Sequence, residues 1–299
     1  MICYYGEYNH DHTQRTIRTV RCRLRCQRPS CESTGRRRGA RERQITQIRN
    51  ATLHIVYGDV RFLVDPMLSD RHSWPGFAGS VNSTERNPLV HLPLTKDEII
   101  KVDAVIVTHL HEDHWDEEAR KTLPKSLPIF SQNAADAQII RGQGFTDVRV
   151  LSATSSFKGV QLIKTNGRHG TEAHYAKFGN LLGEACGVVF KKAGAKTIYL
   201  AGDTIWQKDV EAALTSYAPD VAILNSGYAM SSGVEGGIIM GTEDVLSVHK
   251  AAPNTLLICS HMEAVNHCTV NRADLRRFAL AHGFDGKLRT PGDGETVVI

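Results

Sequence analysis

The distribution of apolar and polar positions divides the chain at about residue 45. Before that point, the stretch RCRLRCQRPSCESTGRRRGARER holds few apolar residues and no sustained period, as expected for a segment that cannot build a core. After it, short apolar runs alternate with polar, glycine and proline residues. We therefore predict a poorly ordered leader over residues 1–44 and one folded domain over residues 45–299.

The apolar runs of the second part predict strands and helices in a definite order. ATLHIVYGDVRFLVDP predicts a hairpin around a Gly-Asp turn, and VDAVIV predicts a strand buried on both faces. FKGVQLIKTNG and GVVFKKAGAKTIYLAGD predict further strands, and helices such as QKDVEAALTSY alternate with strands such as VAILNSG and TLLICSH. Strand pairs precede this alternation in each half, which predicts an α/β fold, a four-layer αββα sandwich of two sheets with helices outside.

Composition indicates a globular protein without a membrane span. The 299 residues are 41% hydrophobic and 23% charged, and no apolar run approaches the ~20 residues that cross a bilayer. There is no charged start followed by a long apolar stretch, so no secretory signal is expected. Seven cysteines, an odd number scattered along the chain, do not look like a disulfide framework. We predict a reducing compartment, the cytoplasm, with organelle targeting by the leader as an alternative.

The charge of the chain is unevenly distributed. Residues 1–44 hold eleven arginines and four acids, a net +7, so the remaining 255 residues carry −3 within the total of +4. Nucleic-acid binding is therefore not expected for residues 45–299. The leader could be a transit peptide or an upstream extension of the reading frame, and the sequence does not decide between them. A small metal knuckle is a further alternative, although its spacing fits no zinc pattern well. Its residues would be His10, His12, Cys22, Cys26 and Cys31.

The segment THLHEDHWD, residues 108–116, places concentrated polarity directly after the apolar run VDAVIV. It contains His109, His111, Asp113 and His114. His109 and His111 are two positions apart, so on an extended segment both side chains point the same way. Imidazole and carboxylate together suit zinc, manganese or iron, and this spacing predicts a metal site.

Three later apolar runs end in the same manner. QLIKTNGRHG leads to His169, TIYLAGDT leads to Asp203, and TLLICSH leads to His261. Each would be an ordinary strand-end residue if it stood alone. Together with the segment after VDAVIV, they give seven candidate ligands collected at one edge of the sandwich.

The ordered set His-x-His-x-Asp-His, then His, then Gly-Asp, then His resembles the metallo-β-lactamase superfamily of metal-dependent hydrolases. The resemblance covers about residues 45–299. Within that superfamily, IRNATLHIVYG, FLVDPML, GRHGT, LAGDTIW and HMEAVNHC resemble the ascorbate-6-phosphate-lactonase-like branch. These motifs are specific for the fold and the metal chemistry and poorly specific for the substrate.

The resemblance implies a two-metal site. His109, His111 and His169 would hold the first ion. Asp113, His114 and His261 would hold the second, with Asp203 bridging the two, so that Asp113 and Asp203 are also the expected catalytic residues. Zinc is the first expectation, with manganese or iron as alternatives. Two ions about 3.5–4 Å apart can share a water molecule, lower its pKa toward neutral and polarise the bond under attack.

Other side chains are candidates for supporting roles. Those expected to orient ligands are Asp116, Glu263, Asn266 and His267. Those that would meet the substrate are Tyr228, as a donor to an oxyanion, and Arg168, as a partner for an anionic group. Trp74 and Phe77 would line a pocket or pack locally. Each of these residues also fits an ordinary structural role.

The predicted function is metal-dependent hydrolysis of a small-molecule ester, lactone, amide or phosphoester. A nuclease or phosphodiesterase is one alternative, but only 57 residues separate Asp203 from His261, too few for a large inserted domain. An iron-dependent oxidoreductase on the same fold is another. A binding protein without activity is disfavoured because every ligand position is filled. The oligomeric state is left open.

Overall fold

The structure is a computed structural model that describes residues 43–299, apart from the side chain of Asn180. The predicted leader, including the alternative knuckle, lies outside the described residues up to position 42. The first strand begins at Gln44, the last residue of the predicted leader. Within the described range, no helix has the length and apolar character that crossing a membrane requires.

Two seven-stranded sheets and seven α-helices make up the described range. The strands are β1 Gln44–Arg49, β2 Thr52–Tyr57, β3 Val60–Val64, β4 Ala104–Val107, β5 Ile129–Ser131, β6 Val148–Val150, β7 Ser156–Phe157, β8 Val160–Asn166, β9 Cys186–Lys191, β10 Ile198–Leu200, β11 Val221–Asn225, β12 Leu256–Ser260, β13 Leu288–Arg289 and β14 Thr296–Val298. The helices are α1 Lys96–Ile99, α2 Glu117–Thr122, α3 Ala134–Gly142, α4 Glu172–Phe178, α5 Lys208–Tyr217, α6 Thr242–Ala251 and α7 Arg272–Ala281.

The first sheet has the order β14-β1-β2-β3-β4-β5-β6, and the second has the order β13-β12-β11-β10-β9-β8-β7. The predicted hairpin is β2 and β3, which pair antiparallel with Tyr57 opposite Val60. From β3 to β6 the first sheet is parallel, and from β10 to β13 so is the second. Parallel strands buried on both faces need continuous apolar runs, which explains VDAVIV and VAILN.

Three apolar clusters show the four layers. Phe62 and Ile106 of the first sheet share one cluster with Leu200 and Ile258 of the second, so this cluster lies between the sheets. A second cluster joins the outer face of the second sheet to α5, α6 and α7. A third joins the outer face of the first sheet to α2 and α3. The predicted αββα sandwich is confirmed, and each strand contributes to an inner and an outer layer because successive side chains alternate.

Short polar side chains begin the flanking helices. Asp116 accepts a hydrogen bond from Ala119 N at 2.7 Å before α2, and Asn133 accepts one from Asp136 N at 2.8 Å before α3. Asn271 does the same for Asp274 N at 2.9 Å before α7. These bonds satisfy backbone donors that the first helical turn leaves without partners. Of these helices, α2 and α7 therefore start at fixed positions just after the segments that carry predicted ligands.

Candidate metal centre

Four chain segments bring the seven predicted ligands to one edge of the sandwich. β4 of the first sheet leads into residues 108–116. In the second sheet, β8, β10 and β12 run in the same direction and lead to His169, Asp203 and His261. Strands that run in parallel deliver the residues after their carboxyl ends to a common edge. This arrangement explains why residues so distant in sequence meet.

A tight turn after β4 directs its polar residues inward. His114 N and Trp115 N both donate to His111 O, each at 2.9 Å. Trp115 is fully buried and packs against Phe145, with ring centroids 5.4 Å apart. The turn and its buried anchor carry Asp113 and His114 around to the side that His109 and His111 occupy.

The donor atoms converge on one carboxylate oxygen, Asp203 Oδ2. The Nε2 atoms of four imidazoles lie 3.2–3.8 Å from it, in the order His114 3.2 Å, His169 3.3 Å, His261 3.7 Å and His109 3.8 Å. The other oxygen, Asp203 Oδ1, accepts a hydrogen bond from Asn225 Nδ2 at 2.6 Å. Asn225 thereby leaves Oδ2 free to face the centre of the cluster.

The predicted ligands form three sets, and within each set the donor atoms all lie within 4.8 Å of one another. They are His109, His111 and His169; His109, His114 and Asp203; and Asp113, His114 and His261. The first and third sets are the two ligand triads that the resemblance implied, and the second contains the expected bridge. The geometry is therefore compatible with that assignment, which remains a proposal.

In two imidazoles a backbone carbonyl accepts a hydrogen bond from the outer nitrogen, that is, the ring nitrogen that points away from the cluster. His111 Nε2 lies 2.9 Å from Leu181 O, and His169 Nδ1 lies 3.4 Å from Leu182 O. A carbonyl only accepts, so each of these nitrogens carries the hydrogen. The inner nitrogens, His111 Nδ1 and His169 Nε2, then present lone pairs to the cluster.

Asp65 orients His114 and was not predicted as a functional residue. Its carboxylate lies 2.9 Å from His114 Nδ1 and accepts hydrogen bonds from Thr108 N and Thr108 Oγ1, both at 2.7 Å. It is 1% exposed and lies directly after β3, beside the end of β4. His114 Nδ1 therefore carries a hydrogen, and its Nε2 faces the cluster. The signal was present in the sequence, because LVDP ends an apolar run with aspartate as LAGD does.

Asn50 and Cys268 hold the other side of the cluster. Asn50 Nδ2 lies 3.2 Å from Asp113 Oδ2 and 3.3 Å from His261 Nε2, and Asn50 O accepts a hydrogen bond from His261 N at 3.0 Å. Cys268 Sγ lies 3.4 Å from His261 Nδ1. Asn50 arrives from a distant part of the chain, 211 positions from His261, whereas Cys268 follows His261 by seven positions within HMEAVNHC.

The carboxylates and imidazoles shift one another's pKa values. Burial opposes a charge on His114 and His261, but the carboxylates, Asp203 first, outweigh it and raise both pKa values, for His114 to about 10. Burial likewise opposes ionisation of Asp113 and Asp203, yet the imidazoles hold the pKa of both well below the usual range. Burial, with His169 nearby, lowers the pKa of His111 to about 4. The metal-free cluster therefore holds two carboxylates together with protonated imidazoles.

The donor set fits divalent cations. His109 Nε2 and His111 Nδ1 are 3.0 Å apart, and His114 Nε2 and His261 Nε2 are 3.1 Å apart. The facing atoms of each pair are like groups, two lone pairs in neutral imidazoles or two N–H groups in protonated ones, and they repel unless a cation takes the place of the hydrogens between them. A tetrahedral zinc ion with Zn–N bonds of about 2.0–2.1 Å separates two nitrogens by roughly 3.3 Å. Mixed imidazole and carboxylate donors suit zinc, manganese or iron.

A cavity of about 320 Å³ opens on this cluster. Four predicted ligands lie in its wall: His111, Asp113, His169 and Asp203. Large apolar side chains form most of the remaining wall: Phe77, Phe178, Leu181, Leu182, Met230 and Ile238. The rest of the lining is Ala78, Gly79, Ser80, Ser231 and His267. No lysine or arginine is among these lining residues, so the cavity offers a mostly apolar surface beside a strongly polar one.

The residues expected to orient ligands have other contacts. Glu263 accepts a hydrogen bond from Arg272 N at 2.9 Å and pairs with the Arg272 guanidinium, at the start of α7. Asp116 begins α2 and also accepts from Ser69 N at 2.6 Å. Asn266 donates to Ser80 Oγ and accepts from Asn87 Nδ2, both at 2.8 Å. These bonds fix the loop whose residues 77–80 line the cavity. His267 lies in the cavity wall itself.

The expected substrate contacts are also placed elsewhere. Arg168 pairs with Glu172 at 2.6 Å and lies over the Tyr175 ring, outside the cavity lining. The Tyr228 ring lies so close to Gly241 that a Cβ there would come within 2.4 Å of it, and Tyr228 is also absent from the lining. Trp74 and Phe77 pack edge to face, with ring centroids 5.3 Å apart, and Phe77 in addition lines the cavity.

Comparisons with known proteins show the family and the fold of this chain. Residues 60–262, more than half of the chain, match the family described as the beta-lactamase superfamily domain. The UPF0173 protein YddR of Bacillus subtilis is 44% identical over 253 residues, which cover 84% of this chain and 98% of that protein.

Two solved structures are similar in sequence and backbone. A possible metal-dependent hydrolase from Veillonella parvula is 44% identical with a TM-score of 0.85, covering 86% of this chain and 100% of that one. The isothiocyanate hydrolase from Delia radicum gut bacteria is 47% identical with a TM-score of 0.83, covering 86% of this chain and 99% of that one.

The predicted superfamily and fold are thus confirmed, whereas the finer resemblance to the ascorbate-6-phosphate-lactonase-like branch stays a prediction. The chain belongs to the beta-lactamase superfamily and is a metal-dependent hydrolase.

Proposed function

We propose that this protein hydrolyses small neutral electrophiles of the isothiocyanate type with two divalent metal ions. The ions would be zinc first, with manganese or iron as alternatives. The ligands would be His109, His111, Asp113, His114, His169, Asp203 and His261. A bound divalent cation lowers the pKa of water and polarises the atom group under attack.

The observation that carries this proposal is the character of the cavity beside the cluster. Its wall beyond the predicted ligands is mainly apolar, and no lysine or arginine lines it. A substrate whose substituent carries a charge, such as a carboxylate, would leave that charge against apolar side chains, which is costly without a partner. An isothiocyanate is uncharged, and its organic substituent can occupy the apolar part while its central carbon lies at the cluster. A volume of about 320 Å³ suits a substrate of this size.

The similarity to the isothiocyanate hydrolase supports the same class of substrate. That protein is 47% identical to this chain, and the match covers 99% of its own length. A neutral lactone or amide, the predicted alternatives, would also suit an apolar wall. No specific observation favours phosphodiester cleavage or iron-dependent oxidation.

The reaction needs only water as a second substrate. The water oxygen adds to the central carbon of R–N=C=S, and an electron pair moves onto nitrogen or sulfur. The carbon–nitrogen bond then breaks, nitrogen takes up both water hydrogens, and the products are R–NH₂ and COS. The protein must hold the carbon beside the cluster, and we assign that task to the apolar wall around Leu182, Met230 and Ile238.

Turnover of 2-phenylethyl isothiocyanate tests this proposal, with zinc-loaded or manganese-loaded protein and amine release as the readout. A γ-lactone, a β-lactam and a phosphodiester are the comparison substrates. We expect kcat/KM for the isothiocyanate to exceed each comparison by at least about tenfold, equivalent to ~1.4 kcal/mol. Preferred cleavage of the lactone or the phosphodiester would contradict the substrate assignment and leave the family assignment intact.

A matched pair of isothiocyanates tests the role of the apolar wall. One carries an alkyl chain and the other a chain of equal length ending in a carboxylate. Because the lining residues offer the carboxylate no lysine or arginine, we expect about tenfold or greater loss of kcat/KM for the charged member. Equal turnover of the two would show that the substituent does not enter this cavity.

A further inference from the structure

Few polar side chains line the cavity apart from the predicted metal ligands. They are Ser80, Ser231 and His267. The Ser80 hydroxyl is already used, since it donates to Phe77 O at 2.7 Å and accepts from Asn266 Nδ2 at 2.8 Å. Ser231 Oγ and His267 Nδ1 are buried and have no hydrogen-bond partner among the described residues. Buried polar atoms without partners are rare in folded proteins and call for an explanation.

The ring of His267 is held in place by its surroundings. Phe77 packs against it edge to face, with ring centroids 4.7 Å apart. His267 O accepts a hydrogen bond from Met230 N at 2.9 Å, and the preceding residue, Asn266, is fixed by its own hydrogen bonds to Ser80 and Val81. The side chain is 7% exposed and lines the cavity. Nδ1 is buried and Nε2 is not among the buried unpaired atoms, so we infer that Nε2 is the nitrogen left to meet a molecule in the cavity.

The predicted role of His267, orienting a ligand, is already performed by other groups. Leu181 O and Leu182 O face the outer nitrogens of His111 and His169. Asp65 and Cys268 contact the outer nitrogens of His114 and His261. Asn225 donates a hydrogen bond to Oδ1 of Asp203. His267 is thus not needed behind a ligand. It nevertheless lies near the cluster, because it lines the same cavity as Asp113.

We propose that His267 is a catalytic residue, whose Nε2 hydrogen-bonds to the substrate heteroatom that gains negative charge when water adds to the electrophilic carbon. This inference rests on the proposed function. In an isothiocyanate, addition of the water oxygen to carbon shifts an electron pair onto nitrogen or sulfur. A donor placed at that atom binds the transition state more strongly than the substrate and so raises kcat.

The surroundings of His267 suit a neutral donor. Burial lowers its pKa to about 4, so the imidazole is uncharged at pH 7 and carries one N–H. With Nε2 protonated, Nδ1 is a bare acceptor inside the protein and Nε2 is a donor toward the cavity. A fixed neutral donor beside an apolar wall needs no rearrangement during the reaction.

The test compares His267→Phe, His267→Gln and, as the matched control, His249→Phe. His249 is a histidine that also packs against a phenylalanine, Phe284 at 5.0 Å, and it is absent from the cavity lining. The measurements are kcat and KM with 2-phenylethyl isothiocyanate, metal content, and the circular dichroism spectrum. For His267→Phe we expect kcat to fall about 10²-fold, the typical effect of removing one such donor, with KM within about threefold and metal content unchanged.

The two further variants sharpen the result. His267→Gln keeps an N–H donor and should recover about tenfold of the lost kcat, and His249→Phe should stay within about twofold of the original protein. A His267→Phe variant with near-normal kcat would overturn this inference alone. A loss of metal in proportion to the loss of activity would also overturn it, because His267 would then support a ligand. No turnover of isothiocyanate by the original protein would overturn the proposed function and this inference together.

Discussion

Replacing Asp65 by asparagine should weaken metal binding although Asp65 is not itself expected to bind a metal. The carboxylate receives hydrogen bonds from Thr108 N, Thr108 Oγ1 and His114 Nδ1, at 2.7, 2.7 and 2.9 Å. Asparagine keeps one oxygen and turns the other acceptor into an NH₂ donor. An NH₂ in the place of Oδ2 faces both Thr108 Oγ1 and His114 Nδ1, and an NH₂ in the place of Oδ1 faces Thr108 N. The backbone of residue 65 has a φ of 43°, which asparagine tolerates well, so the substitution tests the side chain and not the turn.

The magnitude follows from the contact that is lost. A hydrogen bond to a charged group contributes about 1.5–3 kcal/mol. If His114 rotates or moves its hydrogen to Nε2, the lone pair that faces the cluster is lost. We therefore expect metal affinity to fall about 10–100-fold, the usual effect of removing a partner of a metal-binding histidine. The free energy of unfolding of the metal-free protein should fall by about 1.5–3 kcal/mol.

Competition with a coloured chelator measures the metal affinity of the variant, and thermal unfolding confirms that it is folded. Asp244→Asn is the control, since Asp244 also accepts two backbone hydrogen bonds, from Gly241 N at 2.9 Å and Trp206 N at 3.2 Å, but contacts no histidine. The control should bind metal within about twofold of the original protein. If folded Asp65→Asn protein binds metal as tightly as the original, Asp65 does not position His114, and this account of the site is incorrect.

Two further predictions concern the cluster itself. Asp203→Asn removes the negative charge of a carboxylate whose Oδ2 lies 3.2–3.8 Å from four imidazoles. At saturating metal, we expect turnover to fall about 10²-fold or more while the fold stays intact. Normal turnover with full metal content would show that Asp203 is not the bridge. The raised pKa values of His114 and His261 mean that both are protonated near neutral pH, and metal must displace these protons. Metal titration in weak buffer should therefore release protons, and apparent affinity should rise with pH from about 6 to 9, whereas uptake without proton release or a flat pH dependence would contradict the proposed ligands.

The fold was predictable from the sequence wherever a strand is buried on both faces or a helix has one apolar face. VDAVIV, VAILN and TLLICS became β4, β11 and β12 because only parallel interior strands need such continuous runs. The strands β1, β13 and β14 were not predicted. β13 and β14 are two or three residues long and lie at sheet edges, and QITQIR alternates too weakly to distinguish β1 from the leader. The helix α4 was also missed, since TEAHYAKF has little apolar character.

The seven candidate ligands were predictable because each follows the end of an apolar strand. Their supporting contacts were not, because those depend on neighbours that only the folded chain provides. Asn50 lies 211 positions from His261 and still reaches its Nε2 at 3.3 Å. Conversely, a residue close to a predicted ligand in sequence does not necessarily contact that ligand. Glu263 is two positions from His261 and pairs with Arg272, because its backbone turns away at a φ of 65°.

The most direct test of the central claim is metal content measured together with turnover, in protein stripped by chelator and reloaded stepwise with zinc or manganese. The seven predicted ligands, which form three groups of neighbouring donor atoms, predict uptake of about two ions per chain. We expect no isothiocyanate hydrolysis before metal is loaded. Turnover should rise with loading and reach its maximum when both sites are filled. Full activity in the stripped protein, or protein that takes up no transition metal, would contradict the account.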